Sequence, residues 1–281
     1  MKIIKINEIE ISNNKPFTLI AGPCQIESHD HALSMASELK QICQRLKIPL
    51  IYKSSFDKAN RTSLIGQRGI GMKQGLQILA DVKQKLNLPI ITDVHETWQV
   101  KPVAEVVDLL QIPAFLCRQT DLLLACGQTG KPINVKKGQF LAPWDMALVA
   151  EKIASTGNQQ ILLCERGTTH GYNDLIVDYR SLIHMAQTQY PVVFDATHSV
   201  QQPARLGHST GGDRRWVPPL ARAAVAVGVA ALFMEVHDNP DCAPSDGPCM
   251  MRLEDTEQTL LQLQTIDRFV KTKTGGITTA H

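Results

Sequence analysis

The chain has 281 residues, 43% of them hydrophobic and 20% charged, enough apolar material for one large globular domain or two small ones. A net charge of +2 and a pI near 8.1 are too balanced for a nucleic-acid binder, so clustered Lys and Arg call for a local, small anionic ligand. Seven cysteines, Cys24, Cys43, Cys117, Cys126, Cys164, Cys242 and Cys249, form no Cys-x-x-Cys pair, which argues against a disulfide framework and against a zinc ribbon.

Charges interrupt the apolar residues of the opening Met1-Lys2-Ile3-Ile4-Lys5, which predicts neither a signal peptide nor a membrane-spanning helix. A cytoplasmic protein without membrane or nucleic-acid partners is expected. Two short strands, over 3–6 and 9–11, read as a hairpin within residues 2–12. Apolar, β-branched runs then recur over 17–22, 49–54, 89–94, 106–112, 132–135, 160–164, 191–194 and 231–234. Helical periodicity fills the intervals, as over 31–46, 71–86 and 219–229, and a last helix is expected over 253–271. Eight such alternations predict a (β/α)8 TIM barrel forming a single domain over residues 1–281, because near-continuous apolar strands need cover on both faces. A doubly wound open sheet is the alternative topology.

A barrel places its active site on the loops beyond the C-terminal strand ends. The apolar runs hand over to chemistry at that end: Cys24, then Lys53 and Lys58, Asp93 and His95, Gln111 and Arg118, Lys136 and Lys137, Glu165 and Arg166, Asp195 and His198, Glu235 and His237. A polar residue can simply mark where one strand stops; eight one-ended cases favour a functional rim. Lys53, Lys58, Arg61, Arg118, Lys136 and Arg166 would repel one another there without polyanionic ligands, and the mixture of forked guanidinium and mobile ammonium suits two phosphorylated substrates. No Walker-type loop is present, which excludes nucleotide cradling by that route. Cys24, His198, Glu235 and Asp246 lie at or beyond the ends of the first, seventh and eighth barrel runs, which adjoin once a barrel closes. A thiolate, an imidazole and two carboxylates suit Fe(II), Zn(II) or Mn(II) without choosing among them; a core thiol and a hydrogen-bonded histidine are the bland readings of Cys24 and His198.

Several blocks carry a family resemblance. Ile20-Ala21-Gly22-Pro23-Cys24, Tyr52-Lys53-Ser54-Ser55-Phe56-Asp57-Lys58-Ala59-Asn60-Arg61, Ile91-Thr92-Asp93-Val94-His95-Glu96, Ile112-Pro113-Ala114-Phe115-Leu116-Cys117-Arg118, Asn134-Val135-Lys136-Lys137-Gly138, Glu165-Arg166-Gly167, Asp195-Ala196-Thr197-His198 and Met234-Glu235-Val236-His237 resemble the 3-deoxy-D-manno-octulosonate-8-phosphate synthases, in order across about residues 17–250. The resemblance implies a transferase that condenses phosphoenolpyruvate with D-arabinose 5-phosphate and water towards lipopolysaccharide, acting as a homotetramer. It implies phosphoenolpyruvate binding by Lys53, Lys58, Gln111, Ala114, Arg118, Lys136 and Arg166, and pentose-phosphate binding by Ser55, Asn60, Arg61 and Thr62, with Thr62 standing where Ser is usual. Lys58, Asp93, His95 and His198 are the expected catalytic groups, a structural strand-end cap being the alternative role for Asp93. Cys24, in place of the Asn of the metal-free branch, implies one divalent metal held with His198, Glu235 and Asp246. Cys249 departs from the small hydroxyl residue expected after Asp246, and the Gly- and Arg-rich stretch 201–216 is expected to act as a lid. Ala59-Asn60-Arg61, in place of a Pro-Arg-Thr signature, argues against the related heptulosonate synthases, which take erythrose 4-phosphate.

Overall fold

The computed structural model describes residues 1–205 and 210–277. Strands β1 (Ile4–Ile6) and β2 (Ile9–Ile11) pair antiparallel as the expected hairpin. Eight parallel strands follow: β3 (Thr18–Gly22), β4 (Leu50–Lys53), β5 (Ile90–Asp93), β6 (Leu109–Ile112), β7 (Ile133–Lys136), β8 (Ile161–Glu165), β9 (Val192–Asp195) and β10 (Ala231–His237). Each pairs with the next, and β10 returns to β3 with Ala231 opposite Thr18 and Glu235 opposite Gly22. That last pairing closes the barrel and excludes the open sheet.

The two-residue period of a strand divides its side chains between two cores. Ile20, Ile51, Ile91, Leu109, Leu162, Val193 and Phe233 face inward, where Ile4, Ile6 and Ile11 of the hairpin join them. The hairpin thereby plugs the barrel at the end opposite the strand C-termini. Leu19, Tyr52, Leu110, Val135, Leu163 and Phe194 face outward into the helical layer.

That layer comprises α1 (His29–Leu46), α2 (Met72–Leu86), α3 (Thr97–Val106), α4 (Thr120–Gln128), α5 (Met146–Ala154), α6 (Arg180–Ala186), α7 (Val217–Val227) and α8 (Leu253–Thr274). In α1 the Ser28 side chain accepts from the His31 N–H, and Ala32, Met35, Ala36, Leu39, Ile42 and Cys43 form the buried stripe. Lys47 ends the helix in the left-handed region. One sequence expectation is corrected: the run 106–112 is not one strand. Val106 closes α3, and Asp108 makes the turn, its carboxylate accepting from the Ile90 N–H and from Lys83, so β6 begins only at Leu109. Among the described residues no helix is long and apolar enough to cross a membrane.

Candidate active site

The C-terminal strand ends open into a cavity of about 510 Å³ lined by Lys53, Lys58, Asn60, Arg61, Thr62, Asp93, His95, Gln111, Ala114, Lys136, Arg166, His198 and Asp246, together with Gln201 and Ser245. Most of the expected site residues therefore meet at one mouth.

The cations are not unpaired, as their clustering in the sequence suggested. Lys53 Nζ donates to Glu235 Oε1 at 2.6 Å and to the Cys24 carbonyl at 2.9 Å, and Lys136 Nζ donates to Asp195 Oδ2 at 2.5 Å while lying 3.7 Å from the Phe233 ring centroid. Burial disfavours the charge on Lys58, but Cys24, Glu235, Asp93 and Asp246 around it raise its pKa well above the ordinary lysine value. Arg166 is the exception to this pairing. Its Nη2 donates to Gln201 Oε1, yet its buried Nη1 has no partner among the described residues, and burial lowers its pKa. An incoming phosphate or carboxylate would satisfy both deficits.

Across the mouth, Arg61 donates to Ser245 Oγ at 2.7 Å and to the Pro244 carbonyl at 2.6 Å, tying its loop to the segment that carries Asp246. Asn60 and Thr62 line the same end. Ser55, expected beside them, does not line the cavity: it is buried behind the wall and its hydroxyl donates to Asp93 Oδ1. The other Asp93 oxygen lies 2.9 Å from His95 Nε2. Burial alone would raise the Asp93 pKa, but His95, Lys58 and Lys53 hold it well below the usual carboxylate range. Burial likewise works against the His95 imidazolium, and the Asp93 hydrogen bond and charge outweigh it and raise the pKa.

The four expected metal ligands also converge. Cys24 Sγ lies 3.0 Å from Asp246 Oδ2, and His198 Nε2 lies 3.6 Å from Glu235 Oε1 and 4.0 Å from Asp246 Oδ2. Ligand atoms of Cys24, Glu235 and Asp246 fall within 4.8 Å of one another. The donor set fits a divalent ion on two further counts. Glu235 Oε2 is buried without a partner among the described residues. Asp195 Oδ2 sits 2.7 Å from His198 Nδ1, which orients the ring and leaves Nε2 towards the carboxylates. Burial, Asp246 and Glu235 push the Cys24 thiol well above its ordinary pKa, a proton that a bound cation would displace.

Several placements differ from the sequence reading. Arg118 is exposed beyond the 3-10 turn Ala114–Leu116 and does not line this cavity; its carbonyl accepts from Lys152. Lys137 is fully buried and turned away from the mouth, donating to the Gly138 and Leu141 carbonyls and to Thr168 Oγ1. Adjacent residues at a strand end point to opposite sides, so only one of Lys136 and Lys137 can serve the site. Gln201 was missed: it accepts from Arg166 and donates to Asp246 Oδ1 at 2.7 Å, but a neutral side chain gives no charge signal in sequence. Cys249 is buried, its thiol 3.6 Å from the Gly211 carbonyl, so it packs the floor of the Asp246 loop where a hydroxyl was expected. Of the expected lid over 201–216, Gln201–Gln202 pairs with Gly211–Gly212, while residues 206–209 lie outside the described residues.

A family model described as "DAHP synthetase I family" matches residues 1–272. The chain is 62% identical over 272 residues to a protein of Rickettsia bellii, covering 97% of this chain and 99% of the relative. It is 61% identical over 266 residues to one of Granulibacter bethesdensis, covering 95% and 94%, and 58% identical over 272 residues to one of Rickettsia rickettsii, covering 97% and 99%. All three relatives are named 2-dehydro-3-deoxyphosphooctonate aldolase.

Proposed function

The chain belongs to the DAHP synthetase I family, and from that premise we propose that it condenses phosphoenolpyruvate with D-arabinose 5-phosphate and water, giving 3-deoxy-D-manno-octulosonate 8-phosphate and inorganic phosphate for lipopolysaccharide synthesis. Within the family, the near-full-length identity to octulosonate-type relatives points to the pentose phosphate over erythrose 4-phosphate. The observation that carries the reading is the pairing, in one mouth, of a cationic wall at Lys53, Lys58, Lys136 and Arg166 with an anchoring loop at Asn60, Arg61 and Thr62. Two anions can then be held with their reacting carbons facing each other.

In this reaction carbon three of phosphoenolpyruvate forms a bond to the aldehyde carbon of the pentose. Water adds at carbon two, the aldehyde oxygen gains a proton, and the bond between carbon two and the bridging oxygen breaks to release phosphate. Lys53, Lys136 and the free Nη1 of Arg166 neutralise the three-carbon substrate, and Arg61 takes the distal phosphate of the pentose. Held at both ends, the carbons react as though within one molecule, an effect that reaches about 7–11 kcal/mol of barrier in well-oriented cases. Asp93 and His95 are hydrogen-bonded to each other beside Lys58 and serve proton transfer to or from the sugar oxygen or the attacking water. Cys24, His198, Glu235 and Asp246 would hold one divalent cation, which when bound supplies positive charge to orient and polarise the aldehyde.

A Schiff-base aldolase on the same barrel needs a lysine whose amine is neutral near pH 7. Lys58 is shifted upward instead, and Lys53 and Lys136 are bound to carboxylates, which disfavours that route. Phosphoenolpyruvate carrying oxygen-18 at the bridging position tests the proposed bond cleavage. The label is expected in the released phosphate; label retained in the sugar acid would contradict the reading.

A further inference from the structure

A second group of ligand-type side chains lies outside the cavity at the same edge of the barrel. Glu27 follows β3, His31 stands in the first turn of α1 and His237 ends β10, and one ligand atom from each lies within 4.8 Å of the others. β3 and β10 are neighbours, so the strands that bring Cys24 and Glu235 together also bring Glu27 and His237 together two or three residues further along. None of Glu27, His31 and His237 lines the cavity.

Behind them, Asp238 Oδ1 lies 3.2 Å from His31 Nε2 and 2.9 Å from His237 Nδ1. One carboxylate thus backs two imidazoles, the arrangement that fixes ring and tautomer when the opposite nitrogen binds a metal. Those opposite nitrogens are His31 Nδ1, buried and without a hydrogen-bond partner among the described residues, and His237 Nε2, 2.6 Å from Glu27 Oε1. The Asn239 N–H reaches both His237 Nδ1, at 2.9 Å, and Asp238 Oδ1, at 3.0 Å. Without a cation it donates to Nδ1, and the ring proton on Nε2 faces Glu27. With a cation the ring proton passes through solvent from Nε2 to Nδ1, where Asp238 accepts it, and Asn239 keeps its bond to the same carboxylate. An anchoring hydrogen bond between Glu27 and His237 is the simpler account of that pair, but it leaves the buried nitrogen of His31 unexplained.

We propose that Glu27, His31 and His237 form a second divalent transition-metal site, separate from the Cys24 set and backed by Asp238. Two imidazoles and a carboxylate favour zinc, cobalt, nickel or copper over magnesium and calcium, which take oxygen donors. Three protein ligands leave a position for water. The side chains of Glu27 and His31 are 30% and 18% exposed, so the cation enters from solvent and not through the substrate cavity.

Cobalt(II) titration of the metal-stripped full chain tests this, with binding measured by equilibrium dialysis and absorption. Cobalt on a thiolate gives a sulfur-to-metal charge-transfer band; a site of nitrogen and oxygen gives none. Wild type is expected to bind two equivalents. His31→Ala is expected to bind one and keep the band, and Cys24→Ala to lose the band while keeping the equivalent that His31→Ala removes. Glu27→Gln should reproduce the loss seen with His31→Ala, which separates a ligand effect from a disturbed helix. Cobalt binding by His31→Ala and Glu27→Gln equal to that of wild type would overturn the proposal. Should the Cys24 set hold no cation, wild type shows no band and one equivalent, which His31→Ala still removes.

Discussion

At the residue scale, the Asp93–His95 pair sets a pH dependence that can be measured directly. His95 holds its proton more tightly in the folded chain than its ordinary value of 6.5 implies, so protonation stabilises the fold. The contribution is complete below about pH 6.5 and is lost as the pH rises through the raised folded value. In Asp93→Asn, burial is left to dominate, and the imidazole pKa, followed by NMR, is expected to fall below 6.5, with kcat/KM down by roughly 10²–10⁴. An unchanged His95 titration would contradict this. Cys24 carries the second prediction. Chelation followed by gel filtration is expected to abolish turnover, which Mn(II), Fe(II) or Zn(II) restores, whereas Cys24→Asn keeps partial turnover with a weaker chelator response. Full turnover of a rigorously metal-free preparation would refute the metal reading. At this scale the sequence was most legible where charge marks the cavity lining, as at Lys53, Lys136 and Arg166. It was silent at Gln201, whose role depends on two partners distant in the chain, and misleading at Ser55, whose hydroxyl serves Asp93 from behind the wall.

At the scale of elements, β3 and β4 meet more closely at the site than a side chain would allow. A Cβ on Gly22 would lie 1.9 Å from the Lys53 carbonyl oxygen, so backbone contact itself sets where β4 ends and where Lys53 points. Gly22→Ala must push the strands apart; a cost of about 1–3 kcal/mol is expected by denaturant unfolding, with KM for phosphoenolpyruvate rising as Lys53 leaves Glu235. Wild-type stability and KM in that variant would show that the approach is dispensable. The elements themselves were readable from periodicity, since buried parallel strands are continuous apolar runs. The boundary at Val106 was not, because a β-branched residue closing a helix next to a strand looks the same in sequence as the start of that strand.

For the whole molecule, closure of eight strands converts scattered single residues into a common mouth. Cys24 and Asp246 are 222 positions apart in the chain and 3.0 Å apart in space. Alternation of strands and helices made that convergence predictable, and the hairpin core of Ile4, Ile6 and Ile11 accounts for why the other end of the barrel is shut. Arg118 shows the boundary of such reasoning: following a barrel strand fixes the end of the molecule on which a residue lies, but not which way the 3-10 turn before it directs the chain. Function at this scale is the joining, in this mouth, of a three-carbon enol phosphate to a five-carbon sugar phosphate, as proposed above. The decisive assay is phosphate release from phosphoenolpyruvate, measured with arabinose 5-phosphate and in parallel with erythrose 4-phosphate. Rapid release is expected with the pentose and little with the tetrose; equal release with both, or none with the pentose, would rule out this reaction for the chain.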